Sequence, residues 1–257
     1  IGVDSSHLLP FVFFSTLFVY NFQRLVRFSP NKEQSSHLYW LNKNRLFIIL
    51  ITVISLSLSF YYALNLSFST FYFLIPISII SLSYPIKIIP FGSQNIALRE
   101  LPRAKIFLIA LVWSVVSVGL VTIENESFYS LDNLLLFISR FSFVLAITIP
   151  FDIRDLKYDD LSLKTIPQIY GEKKAKMIAL YCLAFFELVS IFHFFVGDFS
   201  WQLLLALILT SLLCGILIIK SSQEKNNFFF SFWVEGASVI MYLLVFIIPL
   251  AFGILAL

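Results

Sequence analysis

The sequence predicts an all-α integral membrane protein, and three observations carry that prediction. Of 257 residues, 59% are hydrophobic and only 13% charged, against about 25% charged residues in soluble domains. The apolar residues gather in runs close to the roughly 20 that a helix needs to cross a bilayer. The cations gather between alternate runs. This composition excludes a secreted disulfide scaffold, a disordered chain and a nucleic-acid binder. Strands of a membrane barrel would alternate in polarity, and these runs do not.

Eight spanning helices are expected, at 8–23, 46–64, 69–86, 105–122, 132–151, 177–196, 202–219 and 228–256. The first ends where Arg24 and Arg27 begin. The second carries no charge, and the third ends on Tyr84-Pro85-Ile86-Lys87. The fourth opens at Lys105. The fifth contains Arg140 and closes on Pro150-Phe151. The sixth contains Glu187, the seventh is uncharged up to Lys220, and the eighth contains Glu235. Cys182 and Cys214 lie within apolar runs and read as small buried hydrophobes. The whole of 1–257 reads as a single transmembrane helical domain.

The connections alternate between long charged loops (24–45, 87–104, 152–176 and 220–227) and short ones (65–68, 123–131 and 197–201). Every Lys and Arg except Arg140 falls in or beside the long set. Because cations are retained on the cytoplasmic side, those loops are expected to be cytoplasmic and both chain ends external. An external N-terminus predicts a further helix upstream of Ile1. The expected location is the cytoplasmic membrane of a prokaryote rather than an organelle membrane.

Charges inside apolar runs are expensive. Arg140, Glu187 and Glu235 are expected to neutralise one another between helices. His193 has no partner at metal-ligand spacing.

The chemistry is expected in the third long loop, Pro150-Phe151-Asp152-Ile153-Arg154-Asp155-Leu156-Lys157-Tyr158-Asp159-Asp160. Asp152, Asp155 and Asp159 are spaced i, i+3, i+7 and share a face if the helix runs past Pro150. Such a cluster calls for a cation, and hard oxygen donors suit Mg²⁺ held with substrate phosphates. The bland alternative is a solvated loop whose acids balance its own cations.

Asp152-x-x-Asp155-x-x-x-Asp159, followed by Lys164-Thr165-Ile166-Pro167 and Gly171-Glu172-Lys173-Lys174-Ala175, resembles the second aspartate-rich motif of the UbiA superfamily of intramembrane prenyltransferases. Tyr84-Pro85-Ile86-Lys87 is similar to that family's Tyr…Lys stretch. At the place of the first motif the chain reads Tyr20-Asn21-Phe22-Gln23-Arg24-Leu25-Val26-Arg27. Asn21 matches there, but Phe22 and Leu25 stand where the family has aspartates.

The resemblance implies a nine-helix bundle when intact. It implies Mg²⁺-dependent transfer of a prenyl group from a prenyl diphosphate to a lipid-soluble, aromatic acceptor. Asp152, Asp155 and Asp159 would hold the metal and act in catalysis, while Asn21, Arg24, Lys87 and Lys157 would contact the diphosphate. Membrane lipid is the surrounding partner, and neither nucleic acid nor a protein partner is implied. The missing first motif and the intramembrane charges keep an alternative open: a transporter or non-catalytic lipid-binding protein on the same scaffold.

Overall fold

The computed structural model describes residues 7–27, 43–91, 94–127, 130–197 and 199–252. Lys32, which entered the charge pattern, lies outside the described residues, as does the side chain of Arg27. The helices are α1 (Leu8–Arg27), α2 (Arg45–Ala63), α3 (Phe68–Ser83), α4 (Lys105–Ser114), α5 (Leu120–Glu124), α6 (Leu131–Asp155), α7 (Ile166–Val196), α8 (Trp201–Lys220) and α9 (Glu235–Ala251). A π-helical turn, Val115–Gly119, joins α4 to α5, and another, Phe229–Val234, leads into α9.

Seven stretches among the described residues are long and apolar enough to cross a membrane: Leu8–Val26, Arg45–Ala63, Lys105–Glu124, Leu131–Asp155, Ile166–Val196, Trp201–Lys220 and Phe229–Ala251. The chain is thus a multi-pass helical membrane protein. The remaining expected span, α3, is apolar but has 16 residues. At 1.5 Å per residue it reaches about 24 Å, short of a hydrocarbon core of about 30 Å.

Two compact units make up the chain: Ile1–Leu101 with Leu120–Ser127, and Pro102–Gly119 with Phe128–Leu257. In the first unit α1 packs on α2, with Phe14 stacked on Tyr62 at 5.9 Å. The buried residues of α2 are Ile48, Thr52, Ser55 and Ser59, a stripe of small side chains. Leu46, Phe47, Leu50, Val53 and Ile54 are exposed. In lipid, bulky side chains gain little from leaving the surface, whereas small ones let two backbones approach closely. Two of the hydroxyls cost little because they donate to their own helix: Thr52 Oγ1 to Ile48 O at 2.6 Å and Ser55 Oγ to Ile51 O at 2.6 Å. Ser67 caps α3 and also donates through Oγ to Glu124 Oε2 at 2.9 Å.

Residues 87–97, expected as loop, instead hold an antiparallel hairpin of β1 (Lys87–Phe91) and β2 (Gln94–Ala97), with Phe91 opposite Gln94 and Lys87 opposite Ala97. The run Ile88-Ile89-Pro90-Phe91 has the β-branched and aromatic content that favours extended backbone, and it is too short for the span-length criterion to register.

In the second unit the core forms where α6 and α7 meet α8 and α9, around Phe143, Ala146, Ile149, Ala179, Phe186, Cys214 and Ala237. Phe143 and Phe186 lie 5.2 Å apart between ring centroids. Cys214 is buried, and Cys182 is half-buried.

The expected neutralisation of the three intramembrane charges does not occur. Arg140 on α6 donates from Nη1 to Met241 Sδ of α9 at 3.7 Å. Glu187 on α7 faces α8 and accepts from Ser211 Oγ, and Glu235 is exposed. Among the described residues no ion pair joins them: Arg140 reaches α9 at Met241, Glu187 reaches α8 at Ser211, and Glu235 turns to the surface. His193, which has no sequence neighbour at metal-ligand spacing, meets Asp132 of α6 at 3.0 Å and stacks on Phe199 at 4.5 Å.

Candidate anion-binding site

The site is built from three segments of the second unit: the end of α6, the start of α4 and residues 159–170. Helix α6 continues one turn past Pro150 to Asp155. The backbone then turns, with the amides of Tyr158 and Asp159 both donating to Asp155 O at 2.8 Å. The three aspartates therefore do not share one helix face as their spacing suggested.

Asp152 and Asp159 converge on one point, and a cation of the chain occupies it. Lys105 Nζ lies 2.8 Å from Asp152 Oδ1 and 3.2 Å from Asp159 Oδ2. The side chain of Asp152 is 2% exposed and that of Lys105 17%. Asp155 turns aside to Arg154, whose Nε and Nη2 donate to Oδ1 and Oδ2 at 2.7 and 3.0 Å. Arg154 is itself held over the rings of Phe151 and Phe230, at 5.2 and 5.6 Å. Asp160 has a local task. It caps the 3₁₀ turn Leu161–Leu163 by accepting from Ser162 N at 2.8 Å. That hydrogen bond holds its carboxyl below the usual carboxylate range.

Beside this cluster lies a pocket of about 210 Å³. Arg103, Lys105, Asp152, Lys164 and Thr165 form its polar lining, and Ile106, Phe107 and Ile166 are among its apolar neighbours. Lining cations thus outnumber acids, and the apolar residues continue beside them. The Oγ1 of Thr165, a residue 4% exposed, finds no hydrogen-bond partner among the described residues.

Local sequence explains the shape. Gln168 Oε1 accepts from Thr165 N at 2.9 Å, and its Nε2 donates to Asp160 O at 3.0 Å. This ties the aspartate segment to the first turn of α7, where Pro167 suits the helix start. Gly171, with φ 80° and ψ 161°, then breaks the helical path. Helix α7 consequently begins well before the expected residue 177. The charged turn that includes the Glu172–Lys176 ion pair conceals it from a hydropathy reading.

Arg103 and Lys164 both adopt left-handed backbone, with φ of 64° and 47°, and Arg103 N donates to Leu163 O at 2.9 Å. Such conformations cost non-glycine residues about 1–2 kcal/mol each. Strain of this kind concentrates where a side chain must be presented. Lys164→Gly is expected to leave the thermal midpoint unchanged or raised, while weakening anion binding about tenfold. Parallel melting and pyrophosphate titration would measure both.

The remaining sequence candidates are placed elsewhere. Asn21 is buried in α1, and its Nδ2 donates to Leu17 O of the same helix at 2.8 Å. Arg24 is exposed on α1. Lys87 is exposed at the start of β1 and lies 3.8 Å from Glu100. These three belong to the first unit. Lys157 is exposed in the turn after α6. In the sequence Arg103 and Lys105 stand out only as topological cations, and Lys164 only as one of these and as the start of the Lys164-Thr165-Ile166-Pro167 stretch. Their proximity to Pro102 and Thr165, beside the aspartate loop, was the available signal.

The fold and site define a multi-pass helical membrane protein with a cation-lined pocket at the end of a spanning helix. No known family, curated protein or solved structure matches the chain.

Proposed function

We propose that the protein transfers a prenyl group from a prenyl diphosphate to a lipid-soluble, aromatic acceptor. One observation carries the reading: a single pocket sets Arg103, Lys105 and Lys164 beside Ile106, Phe107 and Ile166, matching an anionic head joined to an apolar chain. In this reaction the allylic carbon–oxygen bond breaks, a bond to the acceptor carbon forms, and the acceptor loses a proton. The cations stabilise charge gathering on the departing diphosphate, which is worth most in a site shielded from water. The cation-rich loops would face the cytoplasm of a prokaryote.

The Mg²⁺ implied by the resemblance would sit among Asp152, Asp155 and Asp159. As placed, these residues do not fit it. Lys105 stands between two of the carboxylates, and Arg154 takes the third. Among the described residues no group of three or more His, Cys, Asp or Glu is arranged to hold a metal. The resemblance and the hard oxygen donors support a Mg²⁺-assisted reaction as a competing account of the same site.

Incubation of the purified chain with radiolabelled prenyl diphosphates and a panel of aromatic acceptors tests the reading. Label is expected in a lipophilic product, with a Lys164→Gly variant showing a raised KM for the diphosphate. Saturable binding without product would favour a lipid-binding protein or transporter. Arg140, which meets Met241 and no carboxylate among the described residues, and the exposed Glu235, both within spanning segments, support that second reading.

A further inference from the structure

Each carboxylate of the aspartate cluster is engaged by a cation from the chain itself. Lys105 serves Asp152 and Asp159 at 2.8 and 3.2 Å, and Arg154 serves Asp155 at 2.7 Å. Arg154 is fixed by two aromatic rings as well, whereas Lys105 also lines the pocket. We propose that this pocket binds the phosphate head group of its ligand without a divalent metal ion, Lys105 supplying the positive charge between Asp152 and Asp159. The inference rests on the prenyl diphosphate reading only in taking the ligand to carry a diphosphate.

Three physical points support it. Mg²⁺ demands near-octahedral oxygen coordination at about 2.0–2.1 Å, whereas an ammonium is a compact point charge with three rotatable donors. Two carboxylates converging on one ammonium leave it a further donor for a ligand oxygen. Second, Lys105 sets the sign of the site. With it, Arg103 and Lys164 leave the pocket net positive against Asp152 and Asp159; without it, charges balance and the attraction for an anion is lost. Third, Thr165 Oγ1 is buried on the pocket wall with no hydrogen-bond partner among the described residues. A hydroxyl in that position donates to a phosphate oxygen.

Calorimetric titration of the full chain in detergent micelles with inorganic pyrophosphate, in EDTA and in Mg²⁺, tests the inference. The native chain is expected to bind with affinities within about threefold of each other in the two conditions. Lys105→Met is expected to lose roughly tenfold or more in EDTA and to recover in Mg²⁺, because the vacated carboxylates then accept the metal. Mg²⁺ alone should raise the thermal midpoint of Lys105→Met but not of the native chain. Lys105→Arg, which keeps the charge, should retain binding in EDTA.

Binding by the native chain only in Mg²⁺ overturns the inference and leaves the diphosphate reading standing. Binding in neither condition overturns both. Binding in EDTA that Lys105→Met leaves intact removes Lys105 from the role. If Lys105→Met does not fold, the native and Lys105→Arg titrations still decide the outcome.

Discussion

Asp152→Ala is expected to destabilise the protein by about 3 kcal/mol, the lower end of the range for breaking a buried ion pair by removing one partner. The lower end applies because Lys105 keeps Asp159 and is 17% exposed, so its charge is not wholly stranded. The loss should appear as a lowered midpoint in thermal unfolding of the detergent-solubilised chain. Combining Asp152→Leu and Lys105→Met with Asp159→Asn is expected to restore most of that stability, since an apolar pair of similar size avoids both desolvation costs and no carboxylate is left without its cation. An unchanged midpoint for Asp152→Ala would mean that the 2.8 Å pair contributes nothing to the fold.

Gly171→Ala is the second substitution with a large expected effect. At φ 80° and ψ 161° the residue occupies a region that is essentially glycine's alone. A Cβ there meets nothing within 4 Å, so any penalty is one of backbone conformation, about 1–3 kcal/mol. The alternative open to the variant is to continue the helix through residue 171. That would redirect Ile166–Tyr170 relative to Lys105 and Asp152, so pyrophosphate affinity should fall together with the thermal midpoint. Gly236 gives the control: it too has nothing within 4 Å of an added Cβ, but no positive φ. Gly236→Ala is therefore expected to be neutral or stabilising by comparison. Equal midpoints for the two variants would remove the assigned role of Gly171.

The spans were legible because bilayer thickness imposes a length on apolar runs, and seven stretches meet it. Elements whose stability comes from other sources were not. The β1–β2 hairpin is too short for that criterion, and the first turns of α7 are too charged. Within the site, Asp152 and Asp159 were legible as acids near a helix end. Lys105, 47 positions before Asp152, was legible only as a charge on the correct side of a membrane. Periodicity on one helix shows which side chains share a face, but not which cation a neighbouring helix brings to them. The same limit explains Arg140 and Glu187. Their opposite charges suggested a pair, yet α6 and α7 direct them to Met241 and Ser211 on different helices.

The stripe of small side chains buried on α2 has a practical consequence for handling the protein in water. A soluble derivative of this unit would not need its packed face rewritten, because Thr52 and Ser55 already satisfy their hydroxyls within the helix. The substitutions belong on the outer face, at Leu46, Phe47, Leu50, Val53 and Ile54. Exchanging these for Glu, Lys and Gln supplies the strong helix formers that a surface in water favours. The interior of α2 would then serve in either medium, and the choice between bilayer and buffer would be made by an outer face, extending to Leu56, Phe60 and Tyr61, that the core does not use.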